Sequence, residues 1–157
     1  MADAIRGADR DFGIGEETCH WLCIDALSVT ARIVAAVMPD FPLISSFADL
    51  KSAKMTQPSG AFIFDPRELL AHHEGRLPDY PLPHNWTVTS DSIAARIAQC
   101  LRADELVLLK SVDQPNGSLI DLAALGYVDR YFPIAAAKLP PPRFVNLRGC
   151  NYEAAAF

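Results

Sequence analysis

From Trp21 to Met38 the chain is apolar almost without interruption, and the apolar positions run round the whole of a helical wheel. This pattern predicts a helix over about residues 16–37, ended by Pro39 and, being apolar on most sides, placed centrally. Asp25 and Arg32 interrupt the run, which is short of a comfortable membrane span, so a buried helix is expected rather than a crossing. Residues 1–15 are polar, with three glycines, and carry no predicted element. Beyond Pro39, residues 41–46 (FPLISS) and 61–64 (AFIF) read as short strands, with a helical turn over 48–54 and a Gln-Pro-Ser-Gly turn at 57–60 between them. Asp65-Pro66 then starts a helix over about 67–74, with proline at its first position.

The proline-rich stretch 75–83 predicts a surface loop and 86–89 an extended segment. Over 90–101, Ile93, Ala94, Ile97, Ala98 and Leu101 share one helical face. Residues 105–109 (ELVLL) have no polar alternation after Glu105, which predicts a strand buried on both faces of a parallel sheet. Short helices over 119–125 and 133–138 and a last strand over 143–147 complete the pattern, and the tail 153–157 is expected to fray. Helices alternating with strands point to an α/β fold, a three-layer αβα sandwich with a largely parallel sheet, in a single domain.

Composition narrows the function. A net charge of −5 with scattered basic residues offers no stripe for a phosphate backbone, so no nucleic-acid partner is expected. Cys19, Cys23, Cys100 and Cys150 form no CxxC pair, and no apolar leader precedes them. They read as reduced, mostly buried thiols of a cytoplasmic protein with no membrane partner. His72, His73 and His84 lack the spacing of a metal site, so no metal ligand is assigned.

Two polar clusters stand out. Ser90 is a plausible N-cap for the helix that follows it, and Asp91 falls in that helix's first turn, where the dipole favours a carboxylate on structural grounds alone. Lys110, Ser111 and Asp113 follow the 105–109 strand directly, at the strand end where α/β proteins bind ligands. The lysine can meet a phosphate as a point charge, and Asp113 can either orient Lys110 or cap the next turn. Glu17, His20 and Trp21 lie at the start of the first long helix, where the glutamates also suit the helix dipole and Trp21 suits a core.

The wording WTVTSDSIAARIA followed by LVLLKSVD resembles the nucleotide-binding half of the amino acid kinase superfamily, the aspartate/glutamate/uridylate kinase fold. It is most similar to small members linked to one-carbon coenzyme synthesis. The resemblance extends over about residues 16–148 and is specific from 84 to 113. It implies ATP-dependent phosphorylation of a small-molecule acceptor, with Mg²⁺ carried by the nucleotide and association into a homo-oligomer as a common habit of the fold. Asp91 then takes the catalytic role of organising transfer, and Ser90, Lys110, Ser111 and Asp113 line the nucleotide site. Glu17, His20 and Trp21 lie toward the acceptor. The chain departs from the family pattern in lacking, over residues 1–10, the glycine-rich turns that hold the ATP phosphates. Gln114 stands where many members have glycine, and Lys138 has no evident family counterpart. The resemblance therefore implies an N-terminally incomplete member with weak or no activity. The alternative is a non-catalytic kinase-like module acting through oligomerisation or partner binding.

Overall fold

The structure, a computed structural model, describes residues 1–57, 59–77 and 81–149. These fall into two compact units, one spanning Met1–Trp86 and the other beginning at Thr87. Each holds one pair of parallel strands with helices between or beside them, so the mixed α/β character and the parallel pairing are as the alternation implied.

The first unit opens with α1 (Ala2–Phe12), a helix that the three glycines and high polarity of this stretch concealed. Its apolar positions Ala4, Ile5 and Ala8 recur at helical spacing. Gly13, in the left-handed region at φ 63°, ends it. After Gly15 comes α2 (Glu16–Val37), whose two first-turn glutamates face the positive end of the helix dipole. The helix is not central, contrary to its composition: within it only Cys19, His20, Ile24, Ser28 and Ala31 are buried. One face packs, and the opposite one is solvated. The two strands, β1 (Leu43–Ile44) and β2 (Ile63–Phe64), are shorter than the apolar runs suggested and pair with Leu43 opposite Ile63. Between them α3 (Phe47–Thr56) is a full helix rather than a single turn, capped by Ser46.

Asp65, buried at the end of β2, accepts hydrogen bonds from Ser28 Oγ (2.7 Å) and the Arg67 amide (3.1 Å), tying α2 to the next helical turn. That turn continues as a π-helical stretch, Leu69–His73, and a 3-10 turn, Glu74–Arg76. Cys19, Ile24, Phe47, Leu50, Leu69, Leu70 and Leu82 form the unit's core. By length and composition α2 could also cross a membrane. Here Ser28 hydrogen-bonds Asp65, and Asp25 pairs with Arg67 rather than with Arg32, the face-sharing residue one heptad on.

The second unit contains α4 (Ser90–Leu101), β3 (Val107–Lys110), α5 (Leu119–Ala124), α6 (Phe132–Ala135) and β4 (Arg143–Asn146). β3 and β4 are parallel, with Leu108 opposite Phe144 and Lys110 opposite Asn146. α4 matches its expected bounds, and Ala95 and Ala98 are buried as packing alanines. β3 departs from its reading: it begins at Val107, and it is not buried on both faces, because Leu108 is buried while Leu109 is 62% exposed. The core gathers Ile93, Leu106, Leu108, Leu122, Val128 and Phe132, with Phe144 against the rings of Tyr127 and Phe132. The expected turn at 57–60, the 75–83 loop, Cys150 and the tail 153–157 fall wholly or partly outside the described residues.

Candidate functional site

In the second unit the carboxyl end of β3 brings Lys110 to Asp91, on the first turn of α4. Lys110 Nζ donates to Asp91 Oδ2 at 2.8 Å, and the two side chains are only 15% and 14% exposed. The ammonium also lies 5.3 Å from the centre of the Tyr127 ring, a cation–π contact that holds it from a second side. Burial raises the Tyr127 hydroxyl above its ordinary pKa, and the negative charges of Asp113 and Asp91 add to that. Two residues separated by a helix and a turn in sequence thus form a sheltered ion pair. A sheltered lysine held by one carboxylate is pre-oriented, and its rotamer freedom is already spent.

The other expected members of this cluster divide. Asp113 does not orient Lys110; its carboxylate accepts from Asn146 Nδ2 at 2.8 Å, closing the tips of the two strands on each other. Ser111 is exposed beside Lys110. Ser90 is not the N-cap: that position is Thr89, and Ser90 is the exposed first residue of the helix.

Asp129, which no motif singles out, does the capping. Its Oδ2 accepts from the Thr89 amide (2.9 Å), Thr89 Oγ1 (3.0 Å) and the Ser92 amide (2.9 Å). Its Oδ1 accepts from Ser92 Oγ and from the amides of Tyr131 (3.2 Å) and Phe132 (2.8 Å). A helix N-terminus is ordinarily a ready anion site. At α4 a protein carboxylate already occupies it, so a phosphate would have to displace Asp129 and would meet Asp91 beside it. Gly117 is no phosphate cradle either. A Cβ there would come within 2.8 Å of Asp121 Cβ, so this glycine serves the Ser118–Asp121 capping box of α5.

The donor set at the strand end suits a nucleotide in part. Lys110 supplies the cation, Ser111 a hydroxyl, and Asp91 with Asp113 the hard oxygen ligands that Mg²⁺ prefers.

In the first unit, Glu17, His20 and Trp21 do converge, and they converge on His84. His84 Nδ1 lies 3.2 Å from Glu17 Oε1, its ring stacks on His20 with centroids 4.7 Å apart, and Trp21 meets it edge-on at 5.0 Å. The carboxylate favours a proton on Nδ1, which leaves Nε2 with the lone pair in the neutral ring. The His84 hydrogen bond, followed by one from Trp21, holds the Glu17 carboxyl below its usual pKa. His20 is 7% exposed; burial, aided by the neighbouring charge of His84, pushes its pKa down to about 4 against a smaller opposing pull from Glu17. It is the neutral base of the cluster at physiological pH.

Glu17, Trp21 and His84 line a cleft of about 540 Å³, within the size range of small-molecule sites. Its far side is made by Leu70, Leu82 and the buried Glu74, whose Oε1 accepts the Leu82 amide at 2.7 Å. The cleft thus sets Glu17 and two aromatic rings beside two leucines and a second carboxylate, that of Glu74. His84 was visible in the sequence only as a metal candidate; stacking against a histidine 64 positions earlier has no sequence signature. Asp9 is a further unsignalled residue. It accepts from Trp86 Nε1 (2.9 Å) and the Gly15 amide (2.8 Å), and these bonds, Trp86 first, lower its pKa. Compared with known proteins, the chain matches no family model, no curated protein and no solved structure.

Proposed function

We propose that this chain is a kinase-like protein of the amino acid kinase type, its two parallel strand pairs being parts of a three-layer αβα sandwich. Its reaction is transfer of a phosphoryl group from ATP to a small-molecule acceptor in the cytoplasm, without nucleic acid or membrane. The observation that supports this reading most is the Asp91–Lys110 pair at the carboxyl end of a parallel strand. When bound, ATP with Mg²⁺ supplies the phosphoryl group and part of the charge neutralisation. The chain's own contribution is positional and electrostatic, which is most of what phosphoryl transfer asks of a protein. Asp91 holds the Lys110 ammonium in place, Lys110 offsets anionic charge, and Ser111 donates a hydrogen bond. The Glu17, Trp21 and His84 cleft is the acceptor pocket, with His20 keeping the His84 ring in position.

A second reading has one specific observation in its favour. Asp129 fills the α4 N-terminus, where a phosphate would otherwise find the amides of Thr89 and Ser92. On this reading the chain is a non-catalytic kinase-like module acting through oligomerisation or partner binding.

Calorimetric titration with ATP and Mg²⁺ separates the two. The kinase reading expects saturable binding, weakened about tenfold or more by Lys110→Ala, because a charge-assisted contact is lost. Asp91→Asn should weaken it less. Folded protein that gives no binding heat supports the non-catalytic module.

A further inference from the structure

We infer that the solvated face of α2 is the contact surface of an antiparallel homodimer. Leu22, Ala26, Val29, Ile33 and Ala36 recur at 4-3-4-3 spacing, the spacing of a knobs-into-holes seam, and fall within an arc of about 80°. That arc lies opposite the face carrying His20, Ile24, Ser28 and Ala31, which packs into the first unit. Leu22 is 41%, Val29 44% and Ile33 57% exposed, and no charged residue interrupts the seam.

Charge on the flanks selects the partner. One flank of the seam carries Asp25 and, one heptad later, Arg32; the other carries Cys23, Thr30 and Val37. In a parallel pair the charged flank of each copy faces the uncharged flank of the other, and nothing is gained. In an antiparallel pair like flanks meet, so Asp25 of each copy lies beside Arg32 of the other, twice, about a two-fold axis near Val29. Arg67 already touches Asp25 from within the copy, and both those side chains remain about half exposed, leaving the carboxylate open to a second guanidinium. A second copy is therefore the complementary occupant, as an isologous interface requires.

The other face of α2 is already packed, so association does not have to order the helix. The seam is short, about 21 Å, and its footprint of a few hundred Å² is well under the ~800 Å² per partner of a standard interface. The dimer is accordingly weak, with a dissociation constant of about 10–100 µM.

Sedimentation velocity of the full chain from about 5 to about 500 µM tests this range. The expected result is a concentration-dependent shift from monomer to dimer. Val29→Glu should raise the dissociation constant at least ~10-fold while leaving the circular-dichroism melt in place, since Val29 is exposed in the monomer. Orientation is read by disulfide trapping against the background of the native thiols. Leu22→Cys should not link to itself, but should link when mixed with Ala36→Cys. A wild-type protein monomeric throughout, a Val29→Glu dimer of unchanged strength, or Leu22→Cys linking to itself would each overturn the inference. So would monomeric protein that floats with phosphatidylcholine vesicles, because the face would then be a membrane surface.

Discussion

His20 carries the sharpest quantitative prediction. Its folded pKa of about 4 lies below the ordinary histidine value of 6.5, so between those values the unfolded chain binds a proton that the folded chain refuses. Stability therefore rises with pH through this window. The His20 contribution is fully present above about pH 6.5 and is lost as pH falls toward 4. At 1.36 kcal/mol per unit, the loss by pH 4 approaches ~3 kcal/mol, a large part of a small unit's total stability. The side chain is only 7% exposed, so solvent screening removes little of this. The assay is urea unfolding at half-unit steps from pH 7.5 to pH 4.5, followed by far-ultraviolet circular dichroism. His20→Phe removes the titrating group at similar volume and should flatten the slope between pH 6.5 and 5. If the variant keeps the wild-type slope, or if the His20 imidazole titrates near 6.5 by NMR, the burial argument is wrong.

Three further outcomes follow from the same reasoning. Asp129→Ala removes six accepted hydrogen bonds and leaves the amides of Thr89, Ser92, Tyr131 and Phe132 without that acceptor, which should cost about 3–4 kcal/mol in chemical denaturation. Gly117→Ala forces a residue at φ 143° against Asp121 and should cost about 2 kcal/mol or more by thermal melting, read against Gly75→Ala, where the added Cβ meets nothing within 4 Å. Arg67→Ala breaks an ion pair whose side chains are 51% and 48% exposed, and should change stability by less than about 1 kcal/mol; a loss above 2 kcal/mol would mean that Asp25 is more constrained than its exposure implies.

The sequence carried some of this plainly and some not at all. α4 was legible to the residue because its alanines and isoleucines keep helical period between a polar start and Arg102, which adopts the left-handed conformation after it. The strand pairs were legible in kind but not in length, since an apolar run does not say where hydrogen bonding stops. α1 was hidden because Gly7 and its many charges depress the local signal, while the surface it lies against belongs to α2. The burial of α2 was overestimated for a related reason: apolar composition reports what a helix can bury, not what is there to cover it. At the site, Asp91 and Lys110 were each singled out, but the carboxylate expected beside Lys110 was Asp113; the Asp91 pairing, like Asp129, Tyr127 and the His20–His84 stack, depends on chain separations that no local pattern encodes.

The Asp129 carboxylate has a consequence for motion as well as for stability. One side chain closes the N-termini of both α4 and α6, whose first residues are some forty positions apart. Both ends hang on the one carboxylate, and its Oδ1 is shared between Ser92 Oγ and the amides of Tyr131 and Phe132, so loosening either helix start loosens the other. Asp91 stands in the turn that this event would melt. The lifetime of the Lys110 pairing is thereby coupled to a residue whose own hydrogen bonds go to neither partner of the pair.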